Sequence, residues 1–165
     1  MRSRKMTARA GALLLSALAG VALSAPPALD IQPRDGWIRW LPAGVPSGGY
    51  VTLKNAGDAP RILTGASSPD FGQVSFHQTR ENHGISSMEA ITSITIAPHS
   101  TLSFSPGGYH IMLMQPTHAL QPGDRVRLSL RFADGRTLDV PFEVRAPGAG
   151  DNGSDSMPAM PGMQK

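Results

Sequence analysis

Short segments in which apolar and polar side chains alternate recur along the chain, separated by Gly, Pro and Asp. In 125–132 the alternation is strict, and it resumes in 137–144 after the turn Ala133-Asp134-Gly135. A period of two predicts strands with one buried face, and an Asp-Gly turn between them predicts a β-hairpin. The strands predicted in this way are 31–40, 50–53, 61–65, 73–77, 91–97, 101–104, 109–114, 125–132 and 137–144.

No segment has the periodicity of an amphipathic helix of useful length. The 18 glycines and 15 prolines favour a turn-rich β protein, and 165 residues allow one domain of ordinary size. Regularly spaced short strands with turn signals are typical of a sandwich or a barrel. The sequence therefore predicts an all-β single domain, a Greek-key β-sandwich or barrel.

The first 24 residues have the pattern of a secretory signal peptide. Arg2, Arg4, Lys5 and Arg9 precede an apolar run, 10–23, which ends in small residues before Pro26-Pro27. The run is shorter than the roughly 18–20 residues that a membrane span needs. We therefore expect cleavage after Ser24, and an exported protein with no membrane span in its mature form.

The formal net charge of +3 depends on this leader. Four of the 15 basic residues lie in it, so 11 remain against 12 acidic residues, a net charge of −1. Recognition of nucleic acid needs a basic patch, so a nucleic-acid partner is not expected.

The composition changes again near the C-terminus, where 147–165 is rich in Gly, Pro, Ser and Asp. It lacks a periodic core pattern, so we predict a disordered tail that follows a folded domain at 25–146. The tail carries Met157, Met160 and Met163 at every third position.

Methionine and histidine concentrate in one predicted strand, 109–114. Because side chains alternate along a strand, His110, Met112 and Met114 share one face, and Ile111 and Leu113 share the other. Imidazole and thioether groups select copper, especially Cu(I). The chain has no cysteine, which excludes disulfides, thiolate sites and a blue-copper centre. A core strand that begins with a hydrogen-bonded histidine remains the alternative explanation of this segment.

His77 and Met88 extend the pattern to His, ten residues, Met, 21 residues, His, one residue, Met. With this spacing, the sequence resembles the periplasmic copper chaperones of the PCuAC type over about residues 30–145. Four segments match besides the ligand pattern: 107–114, Trp37-Ile38-Arg39, 49–55 and Gly123-Asp124.

The resemblance implies a cupredoxin-like fold and a location in the periplasm. We also expect a monomer, and we expect no enzymatic activity because enzyme motifs are weak or absent. It implies that His77, Met88, His110 and Met112 bind one Cu(I), which passes to an acceptor. The acceptor implied is a copper-binding subunit of cytochrome c oxidase, with a Sco-type thiol protein as a co-worker. Many members have Met after the first His, where this chain has Gln78.

Four more methionines are candidate sulfur ligands. Met114 would be a spare ligand at the main site, with packing beside the site as the alternative. The tail, through Met157, Met160 and Met163, would bind additional copper, with an inert tail as the alternative. His83, His99 and His118 are predicted to lie at the surface.

Three other functions stay open at this point. A copper-sequestering or resistance protein would use the same site, an electron-transfer cupredoxin is disfavoured by the missing cysteine, and a metal-free interaction domain is the least specific reading. Motifs of hydrolases, zinc proteases and phosphate loops are absent from the sequence.

Overall fold

The computed structural model describes residues 29–42 and 44–148. These residues form ten strands and contain no helix that could cross a membrane. The strands are β1 (Ile31–Arg39), β2 (Ser47–Asn55), β3 (Arg61–Ser67), β4 (Phe71–Asn82), β5 (Ile85–Ile91), β6 (Ile94–Ile96), β7 (Thr101–Phe104), β8 (Tyr109–Pro116), β9 (Arg125–Phe132) and β10 (Thr137–Arg145).

All ten strands belong to one hydrogen-bonded sheet, in the order β5-β4-β8-β7-β2-β1-β10-β9-β3-β6. Its two outermost strands, β5 and β6, are neighbours in sequence, because β5 ends at Ile91 and β6 begins at Ile94. Three positions along the chain span at most about 10 Å, so the two edges of the sheet must approach each other. The sheet therefore rolls up, and the predicted all-β, cupredoxin-like sandwich is confirmed.

The core lies on the inner face of the rolled sheet. In β9, Val126, Leu128 and Leu130 are almost fully buried, whereas Arg127 is exposed and Ser129 is half-buried, as the strict alternation predicted. The turn into β10 is also confirmed, with Gly135 at φ 81° and the Gly135 N–H donating to Phe132 O. Each of the buried apolar side chains of β9 stabilises the fold by about 1.5–3 kcal/mol relative to an exposed one.

Three strand predictions were wrong in their extent by more than two residues, and the strand predicted at 50–53 is one of them because β2 runs from Ser47 to Asn55. The predicted strand 91–97 is divided, since Ile91 ends β5 and Ile94–Ile96 forms β6 at the opposite edge of the sheet. The strand predicted at 73–77 is longer and places His77 in the middle of β4. Residues 79–88 continue β4 and β5 beyond Gln78, where pairing with β8 stops.

We call residues 79–88 the hairpin arm. Most of its side chains are exposed, so the arm has no alternation from which a strand could be predicted. An exposed ion pair, Arg80 to Glu89 at 3.2 Å, bridges its two strands. The predicted leader and nearly all of the predicted tail lie outside the described residues, so these boundaries remain predictions.

Candidate metal centre

His77 and His110 face each other across neighbouring antiparallel strands. In the β4–β8 ladder His77 is paired directly with His110, and the two ring centroids are 5.7 Å apart with 25° between the planes. Directly paired residues project from the same face of a sheet. The register alone therefore brings together two imidazoles that lie 33 positions apart in the sequence.

Two methionines of β8 lie on this same outer face. Met112 is paired with Ser75 and Met114 with Gln73, while Ile111 and Leu113 are buried on the core face. The predicted division of the strand into a His/Met face and a hydrocarbon face is confirmed.

Met88 reaches this face from the hairpin arm. It is paired with Thr79 on β4, two residues beyond His77 and therefore on the same face. Its side chain is 54% exposed, far more than those of the neighbouring histidines. The sequence did not predict a strand at Met88, because both faces of β5 are exposed and the segment therefore lacks alternating apolar and polar residues.

These side chains border a cleft of about 240 Å³, here called the His/Met cleft. Its lining includes His110, Met112 and Met88, but neither Met114 nor His77, whose ring instead stacks on that of His110. The other lining residues are Arg39, Leu41, Pro46, Ser47, Gly48, Tyr50, Thr79, Pro106 and Gly107.

The backbone fixes the tautomer of His110. Its Nδ1 lies 3.3 Å from Gly108 O, and because a carbonyl oxygen only accepts, Nδ1 carries the proton. Gly108 O also accepts the Thr79 N–H, which ties β4 to the turn before β8. His110 Nε2 is buried and has no hydrogen-bond partner among the described residues. Metal-binding histidines commonly have this arrangement, with one nitrogen donating to a carbonyl and the other presenting its lone pair.

His77 is also held by a neighbour. Its Nε2 is 3.0 Å from Ser75 Oγ, and its Nδ1 is buried without a partner in the described part of the chain. Burial, and in second place the nearby His110, lower the pKa of His77 below 6.5. The neutral ring, which is the form that binds a metal, is therefore favoured at neutral pH.

A glycine shapes the opposite wall of the cleft. Gly48 is paired with Met112, and a Cβ at Gly48 would lie only 2.6 Å from Tyr50 Oη. The Tyr50 ring therefore leans over the bare backbone toward the cleft, and Arg39 Cζ lies 5.7 Å from the centre of that ring. Sequence reasoning missed the role of Gly48, for which the Gly48-Gly49 pair inside a strand was the available signal.

The donor set is composed of imidazole nitrogens and thioether sulfurs. Within residues 29–42 and 44–148 no three His, Asp or Glu residues form a cluster that could hold a metal ion. Hard ions such as Mg²⁺ and Ca²⁺ require oxygen ligands, so the set fits a soft ion, and copper best.

The remaining histidines are exposed, as predicted. His83 lies at the tip of the hairpin arm with φ 52°, about 20 Å along the strand from His77. His99 Nε2 lies 2.9 Å from Asp58 Oδ1, and His118 Nδ1 lies 3.2 Å from Thr117 Oγ. Met157, Met160 and Met163 lie outside the described residues.

The fold and the cleft define a class, a small all-β domain whose surface carries a cluster of imidazole and thioether side chains. The family model "Putative lipoprotein LpqE-like" matches residues 31–144, and the chain belongs to this LpqE-like family. "Putative lipoprotein Lxx21020" of Leifsonia xyli subsp. xyli is 31% identical over 152 residues, 87% of this chain and 91% of that protein. RP573 of Rickettsia prowazekii is 32% identical over 96 residues, 58% of this chain and 53% of that protein.

Solved structures with the same fold come from PCuAC domains. The copper-bound PCuAC domain from PmoF2 is 25% identical, with a TM-score of 0.60 over 72% of this chain and 94% of that domain. The Cu(I) form of DR1885 from Deinococcus radiodurans is 28% identical, with a TM-score of 0.56 over 76% of this chain and 83% of that protein. The chain is therefore similar in fold and sequence to PCuAC domains.

Proposed function

We propose that this protein is a copper chaperone that binds one Cu(I) through His77, Met88, His110 and Met112. The observation that carries the proposal is His110, whose protonated Nδ1 faces Gly108 O while its buried Nε2 is without a partner among the described residues. Met88 and Met112 line the same cleft. Two of the solved relatives, PmoF2 and DR1885, are described as copper-bound and Cu(I)-bound.

The chemistry of the ligands favours Cu(I) over Cu(II). Thioethers are soft ligands, which suit Cu(I), whereas Cu(II) prefers nitrogen and oxygen. All four ligands are neutral, so binding releases no proton when the histidines are uncharged and leaves a single positive charge. One charge is less costly than two in a half-buried cleft.

Exposure suggests the order in which ligands exchange during transfer. Met88 is 54% exposed on the two-stranded arm, whereas His110 is only 8% exposed in the body of the sheet. We expect an acceptor's ligand to displace Met88 first, while the histidines still hold the ion. No oxidation or reduction is required, because one neutral donor replaces another on the same Cu(I).

We place this function in the cell envelope, and specifically in the periplasm after removal of residues 1–24. The support is the signal-like leader, together with a family and a relative that are both described as lipoproteins. We propose the copper centres of cytochrome c oxidase as the destination, with a Sco-type thiol protein as co-worker. The support for this destination is the resemblance to PCuAC chaperones.

An anaerobic Cu(I) competition titration against a chromogenic chelator tests the site. The protein would be residues 25–165 with Met157, Met160 and Met163 replaced by Ser, so that only the cleft supplies sulfur. We expect one tight equivalent, weakened roughly tenfold or more by His110→Ala, Met88→Ala or Met112→Ala.

Two matched controls come from the same chain. Met114→Ala removes a methionine from the same strand face outside the cleft, and His83→Ala removes a histidine from the same hairpin. Both should leave the affinity within about twofold. Equal losses for Met114→Ala and Met112→Ala would contradict the proposed ligand set.

Deletion of the gene that encodes this protein distinguishes copper delivery from copper sequestration. If the protein delivers copper, the deletion lowers cytochrome c oxidase activity at low copper, and His110→Ala fails to restore that activity. If the protein sequesters copper, the deletion instead lowers growth at high copper with normal oxidase activity. The second result would replace delivery with the alternative function.

A further inference from the structure

We propose that the methionine segment 157–163 of this chain docks into an apolar pocket at the end of the sandwich. The pocket, here called the end pocket, has a volume of about 560 Å³, within the range of ligand sites. Its lining is mostly apolar and includes Trp40, Leu41, Val45, Phe71, Leu113 and Leu120. The proposal does not depend on copper binding.

The end pocket is a fixed feature of the fold. Leu113 and Val144, which belong to the core, contribute to its lining, and Trp40 Nε1–H donates to Leu120 O at 2.7 Å, which joins the two loops that border it. Val45 is 51% exposed on one of these loops. An apolar concavity with an exposed apolar rim is typical of a surface that something covers.

The topology points to the C-terminal segment as the occupant. β1 and β10 are parallel, with Arg39 paired to Arg145, and the Trp40 N–H donates to Arg145 O at 2.8 Å. The chain therefore leaves β10 beside the pocket wall. β1 begins at Ile31, about 26 Å away along the strand, so the described part of the chain enters β1 at the opposite end of the sandwich.

The segment has suitable length and chemistry. Met157 follows Gly148 by nine positions, and a linker of this composition, rich in Gly, Ser and Asp, has a typical reach of about 15–18 Å. Met157-Pro-Ala-Met160-Pro-Gly-Met163 offers three unbranched apolar side chains, which adapt to irregular cavities. Prolines restrict the unbound segment, which reduces the entropy lost on docking.

Tethering makes even weak docking effective. A short flexible linker gives an effective concentration in the millimolar range, so an interaction with a Kd of about 1 mM would fill roughly half of the pockets. Leu41 and Ser47 line both the end pocket and the His/Met cleft. A docked segment would therefore lie against a wall that the cleft shares.

Disulfide trapping tests the docking, because the chain has no native cysteine. Residues 25–165 carrying Val45→Cys and Met160→Cys would be oxidised with glutathione disulfide in the presence of a metal chelator. The matched control pairs Met160→Cys with Ile62→Cys, since Ile62 is 41% exposed and lies beside the β9–β10 turn at the far end. We expect the Val45 pair to close at least about tenfold faster.

Two further results separate docking from mere proximity. Adding Met157→Ser and Met163→Ser to the Val45 pair should slow closure several-fold, because docking needs the apolar side chains. Unchanged closure, or equal rates for the Val45 and Ile62 pairs, would overturn the proposal. Dimers that increase with protein concentration would also overturn it, in favour of a second copy's segment.

A measurement without cysteines uses the two tryptophans of the chain. Trp40 lines the end pocket, whereas Trp37 packs against Tyr50 on the outer face. Replacing Met157, Met160 and Met163 with Ser should shift the indole N–H resonance of Trp40 and leave that of Trp37 unchanged. The absence of a shift at Trp40 would contradict the docking.

Discussion

His77 and His110 are directly paired across the β4–β8 ladder, with their ring centroids 5.7 Å apart. The centre of the candidate metal site is therefore a property of strand register and not of a loop. A slip of one residue in this ladder would send one of the two rings to the core face. The buried residues on the core face of β8, Ile111 and Leu113, oppose such a slip.

Adjacent residues on β8 should separate copper binding from stability. Leu113 is 1% exposed on the core face, so Leu113→Ala should lower the free energy of unfolding by about 2–5 kcal/mol. Met112 is half-buried on the outer face, so Met112→Ala should cost about 1 kcal/mol or less and weaken Cu(I) binding roughly tenfold or more. Urea denaturation and chelator competition measure the two effects, and a reversed pattern would contradict the assignment of faces.

His77 should make the metal-free protein less stable in mild acid. Burial and His110 lower its pKa in the folded state, so the unfolded chain binds this proton first as the pH falls through about 6.5. The free energy of unfolding then decreases until the lower folded pKa is reached. His77→Gln should therefore lose less stability than the wild type between about pH 7.5 and 5.5 in urea denaturation. Identical losses in the two proteins would argue against a lowered pKa.

Gly48 should tolerate no side chain without moving Tyr50. A Cβ there would meet Tyr50 Oη at 2.6 Å and Cζ at 3.0 Å, so Gly48→Ala should cost about 1–3 kcal/mol and weaken Cu(I) binding several-fold. Gly65 is the matched control on β3, because its nearest atoms lie 3.9 Å from the new Cβ. Thermal unfolding that ranks Gly65→Ala as the more harmful change would show that Tyr50 does not restrict this wall.

The side-chain amide of Asn55 should be needed to hold together the turns at the end of the sandwich far from the end pocket. Its side chain is fully buried, and its Nδ2 donates to Ala59 O, Ile96 O and Ala97 O at 2.9–3.1 Å. Asn55→Asp would turn a carboxylate oxygen toward these carbonyls, at a cost of roughly 3–5 kcal/mol near neutral pH.

Acid should partly reverse that loss, because a protonated carboxyl group can donate a hydrogen bond again. The stability difference between Asn55→Asp and the wild type should therefore shrink toward about pH 4 in urea denaturation. A variant as stable as the wild type at neutral pH would mean that the amide hydrogen bonds contribute little.

The sequence by itself determined much of this protein. Strict alternation in 125–132 predicted β9, because burial of one face imposes a period of two. The same reasoning assigned His110 and Met112 to one face of β8, and the register confirms it. The spacing of His77, Met88, His110 and Met112 indicated a candidate soft-metal site.

Only the tertiary structure decided how distant segments meet. Met88 lies on an exposed arm that has no hydrophobic pattern, so its strand is defined by backbone pairing with β4. The tautomer of His110 depends on Gly108 O, and the Tyr50 wall depends on the missing side chain of Gly48. The parallel pairing of β1 with β10 brings the C-terminal exit to the end pocket. Local sequence patterns report which face of a strand is buried, whereas partners and register follow from packing of the whole sheet.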